Sequence, residues 1–191
     1  MARPREFDEN EVLERAMHVF WERGYEGASL RDLEQATGLG RASLYGAFGD
    51  KESLFLKVLE RFSARTVLLS EALSGAPTVR EGFDRLFVVW IDLHPTHGCM
   101  LSQAAGESIC SPRLKALLAS AQEDTTKLFL GALGEAISRG ELPAEVDIEH
   151  RTRVLLVGLQ GLSQATKLGQ SREELLSVAR FLVAAVFTPS L

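Results

Sequence analysis

Apolar side chains recur every three or four positions along most of the chain, which is the spacing of one face of an α-helix. The first predicted helix runs from about Asp8 to Arg23, and Gly24 ends it. A longer helix is expected from Asp50, its N-cap, towards Leu73. The apolar stripe of the first helix is Val12, Leu13, Ala16, Val19 and Phe20, and that of the longer one is Leu54, Phe55, Val58, Leu59 and Phe62.

Between these two helices, residues 29–48 predict two short helices joined by a tight turn. Ser29 can cap the first of them, with Asp32 three positions later as in a capping box. Gly38 is free to take the left-handed conformation that ends a helix. In the second helix, Leu44 and Phe48 are four positions apart and point to a core. Its other face carries Arg41, Ser43 and Tyr45. This pattern is typical of a helix-turn-helix, whose second helix enters the major groove of double-stranded DNA.

Five more helices are predicted after the break at Gly75-Ala76-Pro77. The last two, around Val154–Leu162 and after the capping box at Ser171, are apolar on almost every side. A helix of that kind needs cover on every side. We therefore expect a second copy of the chain to cover these two helices, which makes the protein a homodimer with a four-helix interface.

Composition agrees with an all-α protein that has a sizeable core. Of 191 residues, 46% are hydrophobic, 7% are aromatic and only six are proline, which favours helix over sheet. The net charge of −5 means that any DNA contact must be local. Two cysteines do not suggest a disulfide framework, and no apolar run approaches the roughly 20 residues that span a bilayer. A cytoplasmic protein without a membrane partner is expected.

Several residue types at fixed spacing within the first 60 residues resemble the tetracycline-repressor (TetR) family of bacterial transcriptional regulators. The motifs are Ala16-x-x-x-Phe20-x-x-x-Gly24-Tyr25, Ser29-Leu-x-Asp-Leu33, Thr37-Gly38-Leu39, Ser43-Leu44-Tyr45-x-x-Phe48 and Lys51-Glu52-x-Leu54. The resemblance implies an N-terminal three-helix DNA-binding domain with the helix-turn-helix, residues 1–50. It also implies a C-terminal helical domain for ligand binding and dimerisation, residues 51–191, which the helix from about 50 to 73 connects to the first. A repressor released from a palindromic operator by a small molecule is the implied function.

Six residues are the candidate DNA contacts: Ser29, Arg31, Arg41, Ser43, Tyr45 and Lys51. Arg41 is suited to guanine O6 and N7, or to a phosphate alone. The resemblance makes the Tyr45 hydroxyl a phosphate contact, although a tyrosine can also pack in a core. Ser43 can reach a base or a phosphate, or face solvent, and Ser29 is first of all a cap.

Lys51 stands in the first turn of its helix, where a cation is unfavourable beside the helix dipole. A phosphate partner would explain that misfit, and a solvated lysine is the alternative. Arg3-Pro4-Arg5 is either a minor-groove arm or a disordered tail. Gly46 departs from the family, which often has a large or basic residue there. Residues 1–51 carry seven Arg or Lys and ten Asp or Glu, a balance of −3, so weak non-specific DNA binding is expected.

The candidate ligand pocket lies in the regulatory half. Its predicted lining is Phe87, Trp90, Cys99, Met100, Gln103 and Phe129, and for each of them plain core packing is the alternative. Cys99 opens a short helix near His97, so it is either a thiol sensor of oxidants or electrophiles or a buried inert cysteine. His94 and His97 lack a third ligand, so no metal and no cofactor is expected.

Two other classes of protein fit the sequence less well. An enzyme is not expected, because the chain has no nucleophile elbow, no glycine-rich phosphate loop and no paired-histidine metal motif. A helical interaction module that has lost DNA binding remains an alternative, because the N-terminal segment is acidic and Gly46 offers no contact to DNA.

Overall fold

The computed structural model describes residues 7–107 and 111–188. They form ten α-helices and one 3₁₀ turn, so the all-α fold is confirmed for this part of the chain. The helices are α1 (Glu9–Gly27), α2 (Leu30–Thr37), α3 (Arg41–Phe48), α4 (Lys51–Ser63), α5 (Val67–Ser74), α6 (Val79–Leu93), α7 (Met100–Ala105), α8 (Pro112–Ser138), α9 (Ile148–Lys167) and α10 (Arg172–Val186).

The predicted helix ends are set by the local groups that the sequence indicates. Ser29 closes a full capping box with Asp32 at the start of α2, and Gly38 ends that helix at φ 72°. Asp50 caps α4 by accepting from the Ser53 N–H. These groups satisfy backbone donors and acceptors that a helix end would otherwise leave unpaired.

The helix expected to run from Asp50 towards Leu73 is divided in two. α4 ends at Ser63, a 3₁₀ turn occupies Ala64–Thr66, and α5 begins at Val67. The Ser63 hydroxyl donates to the Glu60 carbonyl oxygen at 2.8 Å, and such a bond competes with the backbone ladder. Neither glycine nor proline marks this break, so the hydrophobic pattern did not predict it.

The chain divides into two compact units by its internal contacts. The first holds residues up to Ala64 together with Gln103–Leu118, and the second holds Arg65–Ser102 and the residues from Ala119 onward. In the first unit, α1, α2, α3 and α4 enclose a core that includes Phe20, Leu33, Leu44, Phe48, Leu54 and Phe55. Because Leu44 and Phe48 of α3 lie in this core, the opposite face of α3 is exposed to solvent.

The core of the second unit gathers around α6. Phe83 and Phe129 meet edge to face with ring centroids 5.4 Å apart, and Leu155 of α9 and Val183 of α10 belong to the same buried cluster. One expectation for the last helix is wrong. Helical spacing after Ser171 predicts that Leu175, Val178, Ala179, Leu182 and Val186 are buried and that Val183 lies on another face. In the structure Val178 is 53% exposed, whereas Val183 is 1% exposed. No helix within the described ranges is long and apolar enough to cross a membrane.

Candidate nucleic-acid interface

The second helix of the helix-turn-helix, α3, separates its side chains into two faces. Leu44 and Phe48 are buried, at 0% and 3% exposure, because their spacing places both on the core side. Arg41 and Ser43 are exposed, and Tyr45 is half-buried. α3 therefore presents a polar strip opposite its buried face, and a major groove is wide enough to admit an α-helix.

The entry to α3 is held by the preceding helix rather than by its own cap. Gly40 is the N-cap and provides no side-chain hydrogen bond. The carboxylate of Glu34, in α2, accepts from the Arg41 N–H at 2.5 Å. The Arg41 guanidinium carbon lies 5.9 Å from the centre of the Tyr45 ring. The first two turns of α3 thus bring two candidate DNA contacts side by side.

Ser29 acts as the cap that the sequence predicts. Its hydroxyl donates to the Asp32 carboxylate at 2.5 Å and accepts from the Asp32 N–H at 3.2 Å. Arg23 pairs with the same carboxylate at 2.6 Å. The hydrogen bonds from Ser29, with a smaller contribution from Arg23, lower the pKa of Asp32. A phosphate contact by Ser29 or by the exposed Arg31 stays a prediction.

Lys51 has a partner that the sequence did not indicate. Its Nζ lies 4.5 Å from the centre of the Tyr25 ring, a cation–π contact. Burial lowers the pKa of Lys51, and the charges of Glu107 and Glu26 act in the opposite direction. The side chain is half-buried. A phosphate contact by Lys51 is untested and stays a prediction.

Two further sequence features bear on this surface. Gly46 is exposed on α3, and a Cβ added there would meet no atom within 4 Å. Packing therefore does not require glycine at this position. The possible arm Arg3-Pro4-Arg5 lies outside the described residues.

The sequence did not predict that two charged residues from a distant part of the chain, Glu107 and Arg113, contact the N-terminal helices of the first unit. Glu107 accepts from the backbone N–H groups of Tyr25 and Glu26. Arg113 lies 3.5 Å from the Ser53 hydroxyl, in the first turn of α4. No local signal could have found these contacts, because 60 or more residues separate the partners.

The structure places the six candidate ligand residues in the two units, and a ligand contact by any of them stays a prediction. Phe87, Trp90 and Phe129 belong to the core of the second unit, and Cys99 packs partly buried against that core. Met100 is 1% exposed, while Gln103 falls in the first unit. A cavity of about 440 Å³ lies between the end of α5 and α8 and is lined by Leu73, Ser74, Ala76, Thr78, Val79, Lys127, Leu128, Gly131, Ala132, Glu135 and Arg139.

The loop before α7 is fixed tightly to α9. Gly98 has φ 67°, and a Cβ there would overlap the Ser163 carbonyl oxygen. The Cys99 N–H donates to the Ser163 hydroxyl at 2.8 Å. His94 is 6% exposed, and its Nδ1 lies 2.5 Å from the Trp90 carbonyl oxygen. Burial lowers the pKa of His94 to about 4. Among the residues described, no three histidine, cysteine or acidic side chains form a metal-binding group.

Comparisons with known proteins agree with this geometry. Residues 12–58 match a family model described as bacterial regulatory proteins, tetR family. Residues 75–182 match a second model, described as tetracyclin repressor-like, C-terminal domain.

Individual relatives span nearly the whole chain. The HTH-type transcriptional repressor ComR of Escherichia coli (strain K12) is 33% identical over 187 residues, which cover 93% of this chain and 88% of ComR. YezE of Bacillus subtilis (strain 168), an uncharacterized HTH-type transcriptional regulator, is 33% identical over 162 residues, or 81% of this chain and 84% of YezE.

A solved structure with the same fold contains DNA. It is a cysteine mutant of the TetR family transcriptional regulator CifR, complexed with 26bp double-strand operator DNA. Its TM-score to this chain is 0.86 at 35% identity, and the match covers 96% of this chain and 99% of CifR.

Proposed function

This chain belongs to the tetR family of bacterial regulatory proteins and is a transcriptional regulator, not an enzyme; from that premise we propose that it represses transcription as a homodimer on a palindromic operator. A small-molecule effector releases the dimer from the DNA. The DNA-reading part is residues 1–50, and residues 51–191 supply dimerisation and regulation.

The single observation that carries this proposal is the division of α3. Leu44 and Phe48 pack in the core of the first unit. The exposed strip carries the Arg41 guanidinium and the Ser43 hydroxyl within the first turns of the helix. In this assignment Arg41 reads a guanine edge or holds a phosphate, and Tyr45 and Lys51 hold phosphates. Ser29, Arg31 and Ser43 lie on the same stretch and complete the set of contacts.

Dimerisation is supported by the apolar side chains that remain exposed. Six large hydrophobic residues are exposed in the described part of the chain, and four of them lie on α9, at its C-cap or on α10. These four are Val157, Leu168, Val178 and Phe181. Isolated exposed apolar residues are ordinary, but a group on two adjacent helices indicates a protein interface.

Release follows from the geometry that a dimer must keep. Two recognition helices enter successive major grooves only when they are about 34 Å apart. An effector that binds more tightly to a conformation with another spacing lowers the affinity for DNA by that difference. The effector is a small molecule, and the pocket residues Phe87, Trp90, Met100, Gln103 and Phe129 remain its predicted contacts.

The test is selection of bound sequences from random duplex DNA at near-physiological salt. The wild-type protein should enrich an inverted repeat. Arg41→Ala should then bind the recovered duplex about tenfold to a hundredfold more weakly, because a bidentate arginine contact is worth about 1–3 kcal/mol. Arg15→Ala is the matched control, since Arg15 is an exposed arginine on α1 that pairs with Glu11.

The outcomes separate the alternatives. Relaxed specificity at one base pair in Arg41→Ala identifies a base contact, whereas uniform weakening with a smaller salt slope identifies a phosphate contact. Failure of a folded, dimeric wild-type protein to enrich any sequence would contradict the proposal and favour an interaction module without DNA binding.

Thiol sensing by Cys99 is the second candidate mode of release. Cys99 is only partly buried, and its backbone N–H donates to Ser163 of α9, so a modification that moves Cys99 would disturb that contact. If Cys99 is the sensor, peroxide or an electrophile should release the wild-type protein from the recovered duplex. Cys99→Ser should then stay bound, and equal release of both proteins would eliminate this mode.

A further inference from the structure

A break inside α1 exposes backbone donors in the first unit. Gly24 has φ 73° and ψ 174°, outside the helical region, although helix continues on both sides of it. The Ala28 N–H donates to the Gly24 carbonyl oxygen at 3.2 Å, so Gly24 acts as the N-cap of a new turn. The first N–H groups of such a turn have no carbonyl partner within the helix.

Glu107 supplies the missing acceptor. Its carboxylate oxygens accept from the Tyr25 N–H at 2.9 and 2.8 Å and from the Glu26 N–H at 3.1 Å. A Cβ on Gly24 would lie 2.8 Å from the nearer oxygen. Glycine at position 24 therefore provides both the backbone conformation and the space for the carboxylate.

The turn that Glu107 caps is connected to the DNA-reading surface. The Tyr25 ring lies 5.1 Å from the Phe55 ring and 6.3 Å from the Phe20 ring, measured between centroids. Its face receives Lys51, one of the proposed phosphate contacts. Fixing the backbone at Tyr25 therefore fixes the position of Lys51 and the packing of α1 against α4.

The cap comes from a part of the chain that belongs to another family domain. Glu107 lies within residues 75–182, which match the C-terminal domain model, yet its contacts place it in the first unit. It follows α7, the short helix that begins one residue after Cys99. Arg113 reaches the first turn of α4 from the same segment, since it lies 3.5 Å from the Ser53 hydroxyl.

We propose that Glu107 is a positioning residue for DNA binding, which holds the Gly24–Glu26 turn, and through Tyr25 also Lys51, in the conformation that binds the operator. Displacement of Glu107 withdraws its carboxylate from the N–H groups of Tyr25 and Glu26 and lowers operator affinity. This inference rests on the proposed function, because it assigns a regulatory contact to the same DNA-binding surface.

The test compares variants at Glu107 with a matched control. Loss of the charged acceptor in Glu107→Ala should weaken binding to the duplex recovered by selection about tenfold, the size expected for hydrogen bonds to a charged group. Glu107→Gln keeps the shape and one acceptor, so it should recover part of the loss. Glu123→Ala is the control: it removes an exposed acidic side chain on α8 that pairs with its neighbour Lys127 on the same helix.

The sign of the effect is diagnostic. Removing a negative charge by itself reduces repulsion from DNA, so Glu123→Ala should bind equally well or slightly better. Amide hydrogen exchange at Tyr25 and Glu26, followed by NMR, should accelerate in Glu107→Ala while exchange at Val58 in α4 stays slow. This readout does not involve DNA, and if Glu107→Ala fails to fold, Glu107→Gln provides both measurements.

Two results would overturn the inference while leaving the proposed function intact. One is wild-type operator affinity in Glu107→Ala together with faster exchange at Tyr25. The other is unchanged exchange at both amides. Failure of the wild-type protein to bind any duplex would instead overturn the proposed function and, with it, the positioning role.

Discussion

At the scale of single residues, His94 makes folding stability depend on pH. Its imidazole is 6% exposed, and burial lowers its pKa from 6.5 to about 4. Between those values the unfolded chain binds the proton and the folded chain does not, so acidification favours unfolding. The contribution of His94 is complete above pH 6.5 and is lost as the pH falls towards 4. The loss is about 3 kcal/mol, since a tenfold change in proton affinity is worth about 1.4 kcal/mol.

Urea unfolding at a series of pH values measures this effect. His94→Phe should remove most of the slope between pH 6.5 and pH 4, because the Nδ1 proton that Trp90 accepts is replaced by a ring that does not titrate. His18→Gln, at an exposed position on α1, should keep the wild-type slope. An identical slope in His94→Phe would contradict the assignment.

Residues whose roles depend on neighbours in sequence were predicted well, and those that depend on distant partners were not. Ser29 caps α2 through Asp32, three positions away, and this is visible as a pattern. Lys51 was assigned to phosphate or solvent because its ring partner, Tyr25, is 26 positions away in sequence. Side-chain contacts of that kind depend on tertiary packing, which hydrophobic periodicity does not encode.

At the scale of helices, α5 and α6 pack so closely that Gly82 is required between them. A Cβ on Gly82 would lie 2.9 Å from the Leu73 carbonyl oxygen and 3.3 Å from its Cα. Both are backbone atoms, which cannot rotate away. Gly82→Ala should therefore lower the free energy of unfolding by about 1–2 kcal/mol, because overpacking outweighs the gain in helix propensity.

Gly131→Ala is the matched control for this measurement by chemical denaturation. Gly131 is an exposed glycine inside α8, and a Cβ there meets nothing within 4 Å. It should stabilise the protein by about 0.5–1 kcal/mol, because alanine restricts the unfolded chain. Equal effects of the two substitutions would show that α5 and α6 do not need the close approach.

The positions of helices could be predicted more accurately than their buried faces and the breaks within them. Caps at Ser29, Asp50 and Ser171 are local and were all found. The 3₁₀ turn after Ser63 was missed because its residues have no strong preference against helix. The buried face of α10 was misassigned at Val178, since a helix that is apolar on several sides gives periodicity no single direction.

At the scale of the whole molecule, the charge of a surface can be predicted from the sequence better than the contacts between distant parts of the chain. The acidic balance of −3 in residues 1–51 is a property of composition, and it limits DNA contact to a few side chains. The assignment of Gln103 to the first unit and of Phe129 to the second is a property of topology. A single sequence carries no pairing information of that kind, so it does not assign these residues to one unit or the other.

The last prediction concerns the dimer. Phe181 is 78% exposed on α10, and Val157 is 65% exposed on α9. If these residues pack against a second copy, Phe181→Lys places a charge in an apolar interface. The dimer dissociation constant should then rise by about 100-fold or more, as for other central interface residues. Sedimentation velocity over a concentration series measures this directly.

Val67→Lys is the control, because Val67 is a 55% exposed apolar residue that belongs to α5 and not to either of the two proposed interface helices. It should leave the dimer intact. Operator binding should follow the dimer, since a monomer reaches one half-site and loses the second set of phosphate contacts. Phe181→Lys should thus lose operator affinity although every DNA-contacting residue is unchanged. A dimer that persists in Phe181→Lys but dissociates in Val67→Lys would move the interface to α5.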